Sequence, residues 1–195
     1  MKKVLRIGLA GYMGAGKSTC ARSFASEEAL IIDADAEAKR LMAESREIQE
    51  TLRAAFGDEA VGTDGRIHSD VLGREAFKSV DAILTLNGIT HPPLVKYLSP
   101  IITYCQRPLC ILDAALIPHL GIESWFDLCV WVDAPFETRL KRLIAKRPDM
   151  AEAELVKRMR LQEAIMSKPE GGDWVVVEDG KCREYIVKAM EKLKG

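Results

Sequence analysis

Five short runs of almost uninterrupted apolar residues recur along the 195-residue chain. They occupy residues 4–10, 30–32, 109–112, 128–132 and 174–177. Continuous apolar runs of this length are typical of strands that are buried on both faces of a sheet, whereas half-exposed strands alternate. The pattern therefore predicts five strands at the centre of the protein.

Stretches with helical spacing of apolar residues separate most of these runs. The clearest cover residues 18–27, 135–146, 151–166 and 183–193. Strands that alternate with helices form βαβ units, whose right-handed crossovers place helices on both faces of a parallel sheet. The predicted fold class is α/β, a doubly wound five-stranded parallel sheet with flanking helices.

The segment between the second and third runs is different, because it has no convincing strand pattern. Several helical patterns fill residues 36–105, so we expect a helical insertion in a single domain whose core comprises residues 1–35 and 106–195. Thr90 is followed by His91 and two prolines. This order predicts that a new helix starts there, with Thr90 near the N-cap.

A glycine-rich motif follows the first apolar run. Residues 11–19 read Gly-Tyr-Met-Gly-Ala-Gly-Lys-Ser-Thr and match the P-loop pattern G-x-x-x-x-G-K-[ST], between a predicted strand and a predicted helix. Glycine adopts positive φ without strain, so Gly11, Gly14 and Gly16 allow the loop to curl its N–H groups around phosphate oxygens. The predicted ligand is a nucleoside triphosphate.

The polar side chains of this motif have expected roles. Lys17 should reach the β- and γ-phosphates and assist catalysis, and the Ser18 hydroxyl should ligate Mg²⁺. The residues predicted to bind ATP are Gly14, Ala15, Gly16, Lys17, Ser18 and Thr19.

Three aspartates come at the ends of predicted strands. Asp33 and Asp35 follow residues 30–32, and Asp113 follows residues 109–112. Ligands of open α/β sheets bind at the carboxyl ends of the strands, the edge that also carries the P-loop. Asp33 is the first candidate for the group that orients an acceptor hydroxyl and takes its proton, and Asp35 is the second; either can instead cap the next helix. Asp113 resembles a Walker B aspartate and is predicted to hold a magnesium-bound water.

A basic segment follows the fourth apolar run. Arg139, Arg142 and Lys146 share one face of a predicted helix. Such a face is ordinarily solvated surface, but in P-loop kinases this is the place for a lid whose arginines close over the phosphates. We expect Arg139, Arg142 or Arg147 to contact phosphate, with Arg142 as the catalytic candidate, and a lid at about residues 139–168.

Composition narrows the function classes. A formal net charge of -1 leaves no excess positive charge to hold nucleic acid. No apolar stretch approaches the length of a membrane span and no secretory signal pattern precedes the first run, so we expect a cytoplasmic protein. Either a monomer or a small homo-oligomer is compatible with the sequence.

The cysteines carry a separate expectation. Their number is odd and no spacing between them is typical of zinc sites, so we interpret all of them as reduced thiols. They are Cys20, Cys105, Cys110, Cys129 and Cys182.

Together these segments resemble the dephospho-CoA kinase family of P-loop enzymes over nearly the whole chain. Besides the P-loop, the resemblance rests on Ile32-Asp33-Ala34-Asp35, Leu86-Asn87-Gly-Ile-Thr-His91-Pro92, Leu112-Asp113, Val132-Asp133-Ala-Pro-Phe-Glu-Thr-Arg-Leu-Lys-Arg142-Leu, Arg158 with Gln162, and Asp173-Trp-Val-Val before Asp179-Gly180. The His-Pro pair and the Leu-Lys-Arg segment are the more specific of these.

The resemblance implies a reaction and a set of roles. The reaction is Mg·ATP-dependent phosphorylation of the ribose 3′-hydroxyl of dephospho-CoA, the last step of coenzyme A biosynthesis. The helical insertion would bind this small-molecule acceptor, with Asn87 and His91 lining or supporting its site. Asp33 would be the base, and Gly180 would lie near the adenine of ATP.

The chain also departs from the family pattern. Tyr12-Met13-Gly14-Ala15 replaces the usual Gly-Ile-Gly-Ser and is similar to a shikimate kinase. Residues 114–118 lack the usual Pro-Leu-Leu, and Glu178-Asp179 replaces an Asn-rich turn before Gly180. Two alternatives therefore stay open: a small-metabolite kinase of the shikimate or gluconate type, and a non-catalytic nucleotide-binding switch.

Overall fold

A five-stranded, all-parallel sheet forms the centre of the protein. The computed structural model describes residues 4–25, 28–171, 174–178 and 180–194. The strands are β1 (Leu5–Ala10), β2 (Ala29–Asp33), β3 (Leu109–Asp113), β4 (Leu128–Asp133) and β5 (Trp174–Glu178), in the spatial order β2-β3-β1-β4-β5. Each lies on one of the five apolar runs, so the predicted doubly wound parallel sheet is confirmed.

Helices connect and cover the strands. They are α1 (Lys17–Arg22), α2 (Ala34–Glu44), α3 (Arg46–Phe56), α4 (Ser69–Ala76), α5 (Val80–Thr103), α6 (Ile117–Leu120), α7 (Phe136–Lys146), α8 (Glu152–Ile165) and α9 (Cys182–Lys194), with a 3₁₀ turn at Glu123–Trp125. The prediction of a helix over residues 18–27 was too long, because α1 ends at Arg22 and the Ser23 hydroxyl donates to the Cys20 carbonyl at 2.6 Å. Ser26 and Glu27 of that prediction lie outside the described residues.

The core on one face of the sheet joins the central strands to α1 and α9. Ile7 and Leu9 of β1 are fully buried, as are Phe24 after α1 and Ile186 of α9, all in one cluster. On the other face, a Cβ at Gly8 would lie 2.9 Å from side-chain atoms of Ile117 and Phe126, so the absence of a side chain lets α6 lie directly on β1. This packing fixes the strand that precedes the P-loop.

The chain divides into two compact units. One comprises Met1–Asp33 and Ile101–Gly195 and contains the sheet, and the other comprises Ala34–Pro100. The second unit has its own core, in which Leu52, Val61 and Leu72 are buried. Residues 34–100 are all described, and apart from an isolated antiparallel bridge between Val61 and Ile67 they form no β-strand.

Helix α5 corrects the predicted start of a helix at Thr90. It runs without interruption from Val80 to Thr103 through Pro92 and Pro93. Thr90 is internal, and its hydroxyl donates to the Leu86 carbonyl at 2.9 Å. Proline removes a helical donor, but the prolines are tolerated here because Leu94 and Leu98, immediately beyond them, are buried in the packed structure.

The cysteines divide into one bonded pair and three free thiols. Cys20 of α1 and Cys182 of α9 form a disulfide with their Cα atoms 6.0 Å apart, so the interpretation of all five as reduced was wrong. Cys105, Cys110 and Cys129 are free and buried. The pKa of the Cys110 thiol is raised to about 12, mainly by burial and to a smaller extent by the neighbouring Cys105, so this thiol is protonated at neutral pH.

No helix in the described part of the chain combines the length and the apolar character that a membrane span requires.

Candidate active site

The P-loop lies between β1 and α1 and has the predicted backbone conformation. Gly11, Gly14 and Gly16 have φ angles of 138°, 77° and 105°. A Cβ at Gly11 would lie 2.3 Å from the carbonyl oxygen of Val132, and one at Gly14 would lie 2.8 Å from that of Arg139. The two glycines therefore let the loop lie directly against the end of β4 and against α7.

Lys17 is held over this loop by backbone carbonyls. Its Nζ donates to the carbonyl of Gly11 at 2.9 Å and to that of Tyr12 at 3.3 Å. Helix α1 begins here, and within the described residues no side chain caps it at Gly16. The Lys17 ammonium group and the first turn of α1 therefore lie together at the P-loop. Ser18 is half-buried and Thr19 is exposed.

Two carboxylates end neighbouring strands at the same edge of the sheet. Asp33 is the last residue of β2, Asp113 is the last residue of β3, and the two are register partners. The edge also carries the P-loop, because β3 pairs with β1. Asp113 is 7% exposed, whereas Asp33 is exposed. Asp35 lies in the first turn of α2, beyond the strand, where its charge favours the helix N-terminus.

The three arginines considered as phosphate ligands occupy different environments. Arg142 is exposed and its Nη1 donates to the carbonyl of Gly14 in the P-loop at 3.2 Å. Arg139 is buried, and its Nη2 pairs with Glu163 of α8 at 2.6 Å. Arg147 pairs with Asp149 at 3.2 Å. The structure therefore brings Arg142 to the loop and uses Arg139 inside the packing between α7 and α8.

Helix α8 also holds the P-loop, which the sequence reasoning missed. The Oε1 of Gln162 accepts the N–H of Met13 at 2.7 Å, and the Tyr12 hydroxyl donates to the carbonyl of Met166 at 3.1 Å. The Met13 side chain joins the apolar cluster between α7 and α8. In the sequence, Gln162 stands out only as part of the family resemblance and Tyr12 only as a departure from the family pattern, so neither indicates a contact between α8 and the P-loop.

The Tyr12 hydroxyl remains a donor at neutral pH. Burial raises its pKa above the ordinary value, and the negative charge of Glu163 adds to this effect. A protonated hydroxyl is what the hydrogen bond to the Met166 carbonyl requires.

The residues predicted for the acceptor lie on α5, in the second unit. Asn87 and His91 are four positions apart and therefore share one face of the helix. Both are half-buried. Leu86 and Ile89, on either side of Asn87, pack on the core of that unit, so the helix that carries the two polar side chains is anchored.

The segment predicted to lie near adenine precedes α9. Gly180 is exposed with φ of 82°, two positions before Cys182, whose disulfide to Cys20 ties this end of α9 to the P-loop helix. Arg183 strengthens the same junction, because its guanidinium lies 4.5 Å from the Phe24 ring centroid. Asp173 and Asp179, which contribute to the family resemblance, lie outside the described residues.

The donor chemistry of the site fits magnesium. Within the described residues no three His, Cys, Asp or Glu side chains cluster as a ready-made metal site. Mg²⁺ in kinases is held by few protein oxygens together with waters and phosphates, so a dense cluster is not required. The Ser18 hydroxyl and the Asp113 carboxylate are hard oxygen donors of the required kind.

Comparison with known proteins identifies the family. The family model described as CoaE, dephospho-CoA kinase, matches residues 5–184. The chain belongs to the dephospho-CoA kinase family. A dephospho-CoA kinase of Corynebacterium efficiens is 32% identical over 189 residues, covering 95% of this chain and 94% of its own. One from Methylococcus capsulatus is 30% identical over 165 residues, covering 83% of each chain.

Solved structures agree with this fold. A crystal structure from Thermus thermophilus is 28% identical, has a TM-score of 0.72 and covers 98% of each chain. A dephospho-CoA kinase from Campylobacter jejuni is 20% identical with a TM-score of 0.59, covers 96% of each chain and supports the fold alone. The predicted family, P-loop kinase fold and kinase activity are confirmed, and neither the small-acid kinase nor the switch is favoured.

Proposed function

We propose that this kinase transfers the γ-phosphoryl group of ATP to the ribose 3′-hydroxyl of dephospho-CoA, giving coenzyme A and ADP. The bond between the acceptor oxygen and the γ-phosphorus forms, the bond from that phosphorus to the β,γ-bridging oxygen breaks, and the hydroxyl proton leaves. The observation that carries the proposal is the register pair Asp33 and Asp113 beside a complete P-loop in a member of this family.

The nucleotide half of the reaction belongs to the P-loop. Lys17 supplies positive charge, and its hydrogen bonds to two carbonyls of the loop can be exchanged for bonds to a phosphate oxygen. Arg142 stands at the other side of the loop with its guanidinium on the Gly14 carbonyl. Both supply fixed positive charge to a transition state whose negative charge is spread over the transferred group. Gly180 is proposed to lie near the adenine.

Asp33 acts on the acceptor hydroxyl. Its exposure leaves the carboxylate accessible to a bound substrate, and its position at the end of β2 keeps its backbone fixed. It orients the hydroxyl for in-line attack and accepts the proton late, because the transition state is loose. Asn87 and His91 on α5 contribute hydrogen bonds to the acceptor.

Ser18 would ligate the magnesium ion that accompanies ATP, and Asp113 would hold a water bound to that ion. The ion supplies charge neutralisation of the phosphates when it is bound. A buried carboxylate suits this task better than an exposed one, because weaker screening strengthens its attraction for a cation.

The experiment is a substrate comparison with product identification. Purified protein with Mg·ATP is offered dephospho-CoA, shikimate, gluconate or AMP separately, and both ADP and the phosphorylated product are measured by mass. A product heavier than dephospho-CoA by one phosphate, which a 3′-nucleotidase reverses, is expected. Lys17→Ala supplies the inactive background, and Lys188→Ala, at an exposed lysine of α9, is its matched control. Phosphorylation of shikimate or gluconate alone would overturn the proposal.

A further inference from the structure

Tyr12 lies in the P-loop, and its ring contacts two other residues. It meets the Trp131 ring edge-on, with the centroids 5.1 Å apart and an angle of 88° between the planes. The guanidinium carbon of Arg139 lies 4.8 Å from the Tyr12 centroid. With the hydroxyl bonded to Met166, the side chain touches β4, α7 and the segment after α8.

The two partners of the ring share an unusual property. Among the buried side-chain nitrogens and oxygens of the described residues, Trp131 Nε1 and Arg139 Nη1 are the ones without a hydrogen-bond partner. A buried donor without an acceptor is costly. An aromatic face attracts cations, and the Tyr12 ring lies nearer the Arg139 guanidinium than the Phe136 ring of α7 does, at 4.8 Å against 5.3 Å, so Tyr12 offsets the deficit of Arg139 from outside α7.

The position of α7 on the P-loop depends on the same contacts. Arg139 and Arg142 are one helical turn apart on α7. The backbone of Arg139 lies against Gly14, and the Arg142 guanidinium donates to the Gly14 carbonyl at 3.2 Å. A shift of α7 away from Tyr12 would therefore move Arg142 from the phosphate-binding loop.

We propose that Tyr12 is a positioning residue, whose ring holds α7 through Arg139 so that Arg142 reaches the phosphates of ATP. It acts through another residue and touches no reacting atom. The proposal rests on the proposed function for the role of Arg142 toward ATP, but it does not depend on which acceptor is used.

The test is a double-mutant cycle on the dissociation constant of Mg·ATP, measured by equilibrium dialysis without an acceptor. Tyr12→Leu removes the aromatic face but keeps an apolar side chain, and it is expected to weaken ATP binding about tenfold. In the Arg142→Ala background the same change should have an effect of about twofold or less, because contacting and coupled residues are non-additive. Tyr12→Phe, which retains the ring, should bind ATP within about twofold of the wild type.

Two further variants keep the result interpretable. Tyr104→Leu, at a tyrosine that is 74% exposed, should leave ATP binding unchanged. Arg139→Lys keeps the charge but loses the planar group on the ring, and it should weaken ATP binding only when Arg142 is present; it replaces Tyr12→Leu if that variant does not fold. Equal effects of Tyr12→Leu with and without Arg142, or no effect in either, would overturn the proposal. Failure to phosphorylate dephospho-CoA with the cycle intact would overturn the acceptor assignment instead.

Discussion

Asp33 and Asp113 end neighbouring parallel strands as register partners, one exposed and the other buried. Adjacent strands lie about 4.8 Å apart, so the two carboxylates share one edge of the sheet while their surroundings differ. The exposed one can meet a hydroxyl from solvent, and the buried one attracts a cation through weaker screening. This difference predicts separable effects of removing each charge.

Asp33→Asn should lower kcat by about a hundredfold or more with little change in the affinity for ATP. The amide keeps the shape of the side chain but cannot take the acceptor proton. Steady-state rates with dephospho-CoA and a separate ATP-binding measurement check both parts. Asp35→Asn is the matched control, since Asp35 lies in the first turn of α2, and near-normal turnover is expected. A large loss of kcat in Asp35→Asn together with normal turnover in Asp33→Asn would assign the role of proton acceptor to Asp35 instead.

Asp113→Asn should raise the Mg²⁺ concentration needed for half-maximal activity by about tenfold or more, since supporting oxygens of a metal site affect affinity by about that factor. The measurement is a Mg²⁺ titration at saturating ATP, with thermal unfolding recorded because Asp113 is buried. Asp58→Asn, whose side chain is 78% exposed, is the control and should titrate like the wild type. An unchanged Mg²⁺ requirement in a folded Asp113→Asn protein contradicts the assignment.

Arg142→Ala should reduce kcat by about tenfold to a hundredfold, because one fixed charge is removed from the phosphate-binding loop. Arg147→Ala removes an arginine that is paired with Asp149 instead, and its effect should be small. Initial rates at saturating substrates compare the two. A larger loss of kcat in Arg147→Ala than in Arg142→Ala would contradict the assignment and would place the phosphates near the C-terminal end of α7.

His91→Ala should raise the KM for dephospho-CoA while leaving that for ATP close to normal. The KM rises because the substitution removes the proposed hydrogen bond from His91 on α5 to the acceptor. His119→Ala, at an exposed histidine beyond β3, provides the comparison and should change neither constant. A change in the KM for ATP alone would place His91 outside the acceptor site.

The sheet and the P-loop could be predicted because local pattern decides them. The buried strands require continuous apolar runs such as that around Ile7 and Leu9, and the positive φ angles require Gly11, Gly14 and Gly16. Non-local packing decides the rest. Pro92 reads as a helix boundary from local rules, whereas packing of buried residues beyond it keeps α5 continuous.

The support of the P-loop was missed for a related reason. Tyr12 is separated from Trp131 and Arg139 by more than one hundred positions in the chain. Neither spacing nor hydrophobic pattern connects residues so far apart. Likewise, five cysteines in a sequence do not reveal that Cys20 and Cys182, 162 positions apart, are bonded.

That disulfide leads to a stability prediction. Closing so long a loop restricts the unfolded chain, and such bonds contribute about 3–5 kcal/mol. Reduction, or Cys20→Ser, should therefore lower Tm by roughly 10 °C. Unfolded protein prepared without reductant should titrate three thiols, since two of the five cysteines are bonded, and five after reduction. Five thiols before reduction would show that the bond is absent from the isolated protein. A lower Tm in Cys20→Ser, insensitive to added reductant, would assign the stabilisation to the bond that joins α1 to α9.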